Sequence, residues 1–495
     1  MPPPYDQSVP TPSVVIIGAG FGGIAAAIEL KKSGYDDIVI LEKGDDVGGV
    51  WRENTYPGAA CDVPSPFYSY SFAPNPEWGK RYAPQPQILD YARQVAEDFD
   101  VRRHVRTGTE VVAAEWNDGT AKWHVVLKDG SELVADVLVP AMGQLSRPAL
   151  PRISGIETFA GPAFHSARWD HSVDLAGKRV AVIGTGASAI QFVPQIQKEV
   201  AHLDLFQRTP PYLFPRMDAV YGPQHHKIFE KLPFTQRAER VGWWGYLEFV
   251  TTSILYARPM AAAIARVSRR HMKKQAAAKP GLFDKIWPDY PIGCKRILLS
   301  DNYIPALAQP NVDVITDGVA EVTVTGVRTV DGVDHPADVI IYGTGFATTE
   351  FLAPVTFCGR GGAELSEQWA SGARAYYGLT IPNFPNMLVM YGPNTNTGGG
   401  SVIFFLETQA AYVRDYVDAL VAEGEPLEVR AELADAFDDE TQKRLSGSVW
   451  TECSSWYRQA DGRITLNWPG LSTEYRRRAV FRRDDYTAAP QGGRA

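Results

Sequence analysis

The sequence is poor in cysteine and methionine, carries no basic excess and has no long uninterrupted apolar run. Its four cysteines, Cys61, Cys294, Cys358 and Cys453, are scattered over 495 residues with no CxxC or CxxxxC pair. That spacing suits neither a zinc site nor the vicinal disulfide of a reductase, so reduced thiols in a cytosolic setting and no metal are expected. A net charge of -8 and a pI near 5.7 leave no basic footprint for a nucleic acid. The most apolar helical stretch, about 241–266, is interrupted by Glu248, Arg258 and Pro259. It falls short of the roughly 18 consecutive apolar residues of a membrane span. The first residues, MPPPYDQSVPTPS, have neither a basic n-region nor an apolar core, so no secretory signal is read and a cytoplasmic protein is expected.

What is present is one device used twice. Length alone allows roughly two to four domains. Val14–Ile17 is an apolar β-branched run, followed by Gly18, Gly20 and Gly23 and then a helical stretch closed by Gly34. Gly18 permits the turn, Gly20 lets backbone approach a pyrophosphate, and Gly23 lets helix pack on strand. Glu42 ends a second strand 24 residues after Gly18, where a carboxylate can accept hydrogen bonds from ribose hydroxyls. The segment KRVAVIGTG at 178–186 repeats the pattern, with Ala189 in the third glycine position. At the same offset from Gly184 stands Arg208, and a guanidinium suits a 2′-phosphate. The first site is therefore expected to hold the adenosine of FAD, and the second NADPH rather than NADH.

The fold class expected is α/β, two Rossmann-like dinucleotide-binding domains with a helical insertion in the second. Residues 48–70 are rich in Gly, Pro and aromatics, and Trp51, Tyr56, Phe67, Tyr68 and Tyr70 should lie against something flat and large, such as an isoalloxazine. A helix is expected over 87–100, a hairpin around Asn117 to Thr120, and a strand within 136–143; Pro148 and Pro151 mark the exit from the first domain. Residues 217–280 read as mainly helical, with Trp243, Trp244, Tyr246, Leu247, Phe249 and Tyr256 clustered. They either wall a pocket for an apolar substrate or serve core packing or a subunit contact; a peripheral membrane contact is disfavoured by the acidic total. ADVIIYGTGF at 337–346 reads as a buried strand returning the chain to the first domain. YGPNTNTGGGS at 391–401 precedes an apolar helix whose start could face a cofactor. The division expected is thus 1–150, first part of the FAD domain; 151–335, NADPH domain with its insertion at about 217–290; 336–485, second part of the FAD domain; and 486–495, a flexible tail.

Two further patterns carry a family resemblance. Phe159, Gly161, His165 and Trp169 match FxGxxxHxxxW, and Gly48, Gly49, Trp51, Tyr56, Pro57, Gly58 and Asp62 match GGxW followed by YPG and an Asp. On these the chain, from Val14 to about Trp456, resembles the Baeyer-Villiger monooxygenases, FAD- and NADPH-dependent class B flavoproteins. The resemblance implies oxidation of a ketone by O2 to an ester or lactone through a C4a-peroxyflavin. It also implies Arg296 as the active-site arginine, oriented by Asp62, with Lys295 joining Arg208 at the NADPH phosphate and Trp456 closing over the nicotinamide cofactor. An arginine suits that role because it stays protonated and can stabilise a developing oxyanion. The cofactor-contacting set expected is Gly18, Gly20, Phe21, Gly23, Glu42, Gly49, Val50, Trp51, Asp62, Tyr68, Val111, Gly184, Thr185, Gly186, Ser188, Arg208, Thr209, Lys295 and Trp456. His165 is expected to fix the linker rather than act as a base. NTNTGGGSVIFF departs from the family's more familiar loop beside the flavin, and the C-terminal segment resembles the acetophenone-type branch, which leaves substrate preference and oligomeric state open. The other readings are a flavin-containing monooxygenase acting on sulfur or nitrogen, and an NADPH oxidase or redox-sensing flavoprotein that oxygenates nothing.

Overall fold

The computed structural model describes residues 11–459 and 461–489, and they form an α/β architecture around two parallel sheets. The first sheet has the order Val105–Arg106, Ile38–Leu41, Val14–Ile17, Val137–Pro140. Val14–Ile17 is buried at every position, as continuous apolar runs of a parallel sheet are. The helix that follows, Phe21–Lys32, packs against the long helix Val402–Glu423 from the far end of the chain. The second sheet has the order Val312–Ile315, His202–Phe206, Arg179–Ile183, Val339–Tyr342, Ala163–His165, again parallel throughout.

Val111–Asn117 and Lys122–Leu127 form the expected hairpin. Its turn is fixed by the Asn117 side chain, whose oxygen accepts from the amides of Gly119 and Thr120 at 2.9 and 3.0 Å. The insertion consists of Pro223–Lys231, Pro233–Tyr256, Arg258–Ala276 and Leu282–Ile286; in the first three a proline stands in the opening turn, where its missing amide costs nothing. Trp243, Trp244 and Leu247 pack against the core of the first unit, so part of the aromatic cluster is core packing. Among the described residues no helix is long and apolar enough to cross a membrane.

Three expectations are corrected. Val339–Tyr342 pairs with Arg179–Ile183 and Ala163–His165, so the chain is still in the second unit there and the boundary at 335/336 falls too early. A run of four apolar residues announces a buried strand but not which sheet it enters. The flexible tail expected over 486–495 does not hold for its first residues, because Tyr486–Ala488 pairs with Leu427–Val429 and the Tyr486 ring is buried; residues 490–495 lie outside the described ones. Finally, two of the four thiols are not free: Cys294 and Cys453, 159 residues apart, form a disulfide, while Cys61 and Cys358 remain thiols.

Candidate active site

The first nucleotide turn follows from close packing. Gly18 has φ +106°, and a Cβ there would lie 2.6 Å from the Ala141 carbonyl oxygen; a Cβ on Gly23 would lie 2.0 Å from that of Gly18. Gly20 precedes the helix Phe21–Lys32, which has no acid in its first turn and Lys31 and Lys32 in its last. Its amide end is therefore left for an anion. Glu42 accepts from the amides of Ala19 and Gly44 at 2.9 and 2.8 Å and pairs with Arg52 at 3.0 Å, which brings its carboxylate onto the glycine turn. Gly49, at φ +55°, backs onto Gly20: a Cβ on it would lie 3.1 Å from the Gly20 Cα. Val50 opens the short helix that carries Trp51, whose indole N–H donates to the Tyr68 hydroxyl at 3.0 Å. Phe21 packs against Tyr68, with ring centroids 6.0 Å apart. Val111 is buried with Ile17 and Leu41 at this end of the sheet. At the start of Val402–Glu423 the Ser401 hydroxyl is buried without a hydrogen-bond partner among the described residues. A dinucleotide along this turn, with a polar atom near Ser401, fits what these residues leave unmet.

The second turn repeats the device. Gly184 has φ +114°, and a Cβ there would lie 2.3 Å from the Gly343 carbonyl oxygen, whereas Gly186 has no such neighbour nearer than 3.9 Å. Ser188 precedes the helix Ala189–Ile196, and Ala189 is fully buried where only a small residue fits. The Thr185 hydroxyl donates to the Thr209 carbonyl at 2.9 Å, tying the glycine turn to the strand end that carries Arg208. Arg208 is exposed. The ammonium of Lys295 is pushed below the usual lysine range first by burial and then by the charge of Arg208. Neither cation forms an ion pair among the described residues, and Lys295 Nζ lies 4.8 Å from the centroid of the Tyr290 ring. Asp289 offsets part of that effect on Lys295 without pairing with it, and two neighbouring cations with no ion-pair partner among the described residues suit a phosphate.

Between the two turns Asp62 and Arg296, 234 residues apart, form a bidentate pair: Arg296 Nη2 donates to both carboxylate oxygens at 2.8 and 2.6 Å, and Nε donates at 3.1 Å. The Asp62 carboxylate holds the guanidinium well above its usual range, against the opposing effect of burial. Two tyrosines that sequence reasoning missed share this environment. Burial pushes the Tyr457 hydroxyl up to about 12 and raises that of Tyr391 as well, with the charge of Arg296 opposing both. Trp456, 39% exposed, stands beside Tyr457 with ring centroids 4.3 Å apart, and Cys453, three residues earlier, is the one bound to Cys294. Adjacency to Trp456, and to the glycine-rich loop at 391–401, was the available signal for the two tyrosines.

One family pattern docks the first unit on the second, and the other packs within the second unit. Tyr56 OH donates to Gln191 Oε1 at 2.9 Å, and a Cβ on Gly58 would lie 2.7 Å from the Gln191 carbonyl oxygen, so the YPG turn docks on the helix of the second unit. A Cβ on Gly161 would lie 2.4 Å from the Asp338 carbonyl oxygen. Trp169 meets Phe192 with centroids 5.3 Å apart. His165 ends the edge strand of the second sheet, its Nδ1 accepts from the Ala167 amide at 3.1 Å, and burial lowers it to about 4. It is neutral at neutral pH and caps the short turn Ser166–Arg168.

Residues 15–223 match the family model described as pyridine nucleotide-disulphide oxidoreductase. A Baeyer-Villiger monooxygenase of Streptomyces coelicolor is 43% identical over 468 residues, covering 94% of this chain and 90% of that protein. One from Pseudomonas aeruginosa is 42% identical over 489 residues, covering 97% and 92%. Among solved structures, OTEMO in complex with FAD and NADP superposes with a TM-score of 0.87 at 27% identity, over 97% of this chain and 100% of that one. Oxidized steroid monooxygenase bound to NADP gives 0.84 at 30% identity, over 94% and 97%. With two glycine turns of the dinucleotide-binding kind, and with relatives of this identity over nearly its whole length, the chain belongs to the Baeyer-Villiger monooxygenases.

Proposed function

We propose that this chain binds FAD at the first glycine turn and NADPH at the second, and inserts one oxygen atom of O2 beside the carbonyl of a ketone to give an ester or lactone. Bound there, FAD would supply activation of O2 with the two electrons of NADPH, the second oxygen atom leaving as water. The chain's own residues bind, orient and stabilise charge. Gly18, Gly20 and Gly23 open the backbone to a pyrophosphate, and Glu42 is placed for a ribose. Arg208 and Lys295 are neighbouring cations with no ion-pair partner among the described residues, suited to a 2′-phosphate, which favours NADPH over NADH. Trp456, partly exposed beside Tyr457, would cover the nicotinamide cofactor. Arg296 stabilises the negative charge that develops on oxygen during ketone attack, and Asp62 fixes its direction.

The observation that carries this reading is the bidentate clamp of Asp62 on Arg296 between the two turns. A guanidinium keeps its charge there, whereas an ammonium is more easily deprotonated where it is desolvated. We place the reaction in the cytoplasm, where NADPH is regenerated. Arg296→Ala should still allow NADPH to bleach the flavin but should form no ester from a panel of cyclic, linear and aryl ketones, read by mass. Ester formation at the wild-type rate would remove Arg296 from the mechanism.

A further inference from the structure

The insertion has two unlike faces. On Pro233–Tyr256, Trp243, Trp244 and Leu247 turn to the core of the first unit, and Arg240 Nη1 donates to the carbonyls of Pro66 and Ser69 at 2.9 and 2.8 Å. The opposite face presents Phe234, Val241, Phe249 and Tyr256, which are 64%, 59%, 58% and 51% exposed. These four lie on one helical stripe, filled in by Ala238, Gly245 and Thr252, that runs about 33 Å at 1.5 Å per residue. Past the break at Ala257 the next helix, Arg258–Ala276, exposes Met260 and Val267, by 41% and 54%. Single exposed apolar residues need no explanation, but a continuous stripe does.

Charge selects the occupant. Residues 223–276 hold ten lysines and arginines against three glutamates, a net +7 within a chain of net -8. The helix Arg258–Ala276 has six cations and no acid. At helical spacing Met260, Ala263 and Val267 share a face with Arg270 and Lys274, so apolar and basic groups point the same way. Arg266, Arg270, Lys273 and Lys274 form no ion pair with any described residue. A second copy of this surface would oppose like charge to like charge across a symmetric interface. An anionic lipid surface satisfies both halves, taking the apolar stripe below its headgroups and the cations among them.

We propose that the helix pair Pro233–Tyr256 and Arg258–Ala276 is a monotopic docking face for membranes containing anionic lipid. The acidic total of the whole chain hides it because the excess is local. The same helix reaches the candidate site: a Cβ on Gly399 would lie 2.6 Å from Thr251 Oγ1, and one on Gly293 would lie 2.0 Å from Ile254 Cγ2. An apolar substrate dissolved in the bilayer would thus meet the enzyme at the helix that borders its active-site loops.

The test is flotation of the FAD-loaded full chain with vesicles of phosphatidylcholine alone or mixed with phosphatidylglycerol. Binding should be at least 10-fold stronger on the mixed vesicles and should weaken steeply with added salt. Val241→Asp combined with Phe249→Asp should reduce it at least 10-fold, and so should Arg266→Glu combined with Arg270→Glu, which leaves the apolar stripe intact and covers failure of the first variant to fold. Equal binding to both vesicle types, no binding to either, or unchanged binding of both variants would overturn the proposal. So would a stable dimer by light scattering that the Val241→Asp, Phe249→Asp variant dissociates, since a second copy would then cover the face.

Discussion

Asp62→Asn keeps the volume of the side chain and removes the charge that directs Arg296. Three hydrogen bonds of 2.6, 2.8 and 3.1 Å converge on this carboxylate. Stripping one partner from a fully buried ion pair costs about 3–5 kcal/mol, and a hydrogen bond to a charged group contributes about 1.5–3 kcal/mol. The Arg296 and Asp62 side chains are 35% and 27% exposed, so solvent screens part of the interaction and the lower range applies. At about 1.36 kcal/mol per factor of ten, that is a loss of roughly 10- to 100-fold in oxygenation rate. Because the pair acts on the oxygenation step, stopped-flow reduction of the flavin by NADPH should keep its rate within about two-fold while ester per NADPH consumed falls and hydrogen peroxide rises to balance it. Equal slowing of reduction and oxygenation would mean that Asp62 supports the fold generally. Unchanged coupling would mean that Arg296 holds its direction without the clamp, and either result refutes the reasoning.

Arg208→Ala should raise the KM for NADPH by roughly 10- to 100-fold, the value of one charge-assisted contact to phosphate, and should leave that for NADH nearly unchanged; equal effects in steady-state assays would take Arg208 off the 2′-phosphate. Denatured but unreduced protein should titrate two thiols with Ellman's reagent, Cys61 and Cys358, and four only after dithiothreitol; four at the outset would show Cys294 and Cys453 to be unpaired. His165 has its folded value lowered to about 4 from an unfolded 6.5, so below pH 6.5 the unfolded chain takes up a proton that the folded one refuses. Its contribution is complete above pH 6.5 and is lost as pH falls towards 4, by at most about 3 kcal/mol. Thermal melts of wild type and His165→Asn should therefore converge between pH 7 and pH 4.5, and a constant gap would reject the assignment.

Features that depend on neighbours in sequence were legible, and those that depend on distant pairing were not. Gly18 and Gly184 could be read because each must take a positive φ beside a carbonyl, and that demand shows in the chain as glycine at a fixed spacing after an apolar run. Arg208 was found by its offset from Gly184. Asp62 and Arg296 came from family patterns, since nothing local links residues 234 positions apart. Val339–Tyr342 was visible as a strand, yet its sheet is chosen by Arg179–Ile183 and Ala163–His165, which the run itself does not encode. The cysteines misled for the same reason: spacing rules detect vicinal pairs, whereas Cys294 and Cys453 meet only through the fold. Tyr391 and Tyr457 gained their character from burial beside Arg296, a property of the assembled pocket.

Four residues show how the two units are made to act on one reaction. In Gly293–Arg296, the cysteine is bound to Cys453 in the segment that carries Trp456, the lysine lies beside Arg208 of the second unit, and the arginine is clamped by Asp62 of the first. Gly293, at φ +87°, leaves no room for a side chain against Ile254 and Val449, so the turn is also pressed between the insertion and the C-terminal segment. Adjacent side chains of one turn thus face different units, Lys295 beside Arg208 and Arg296 against Asp62.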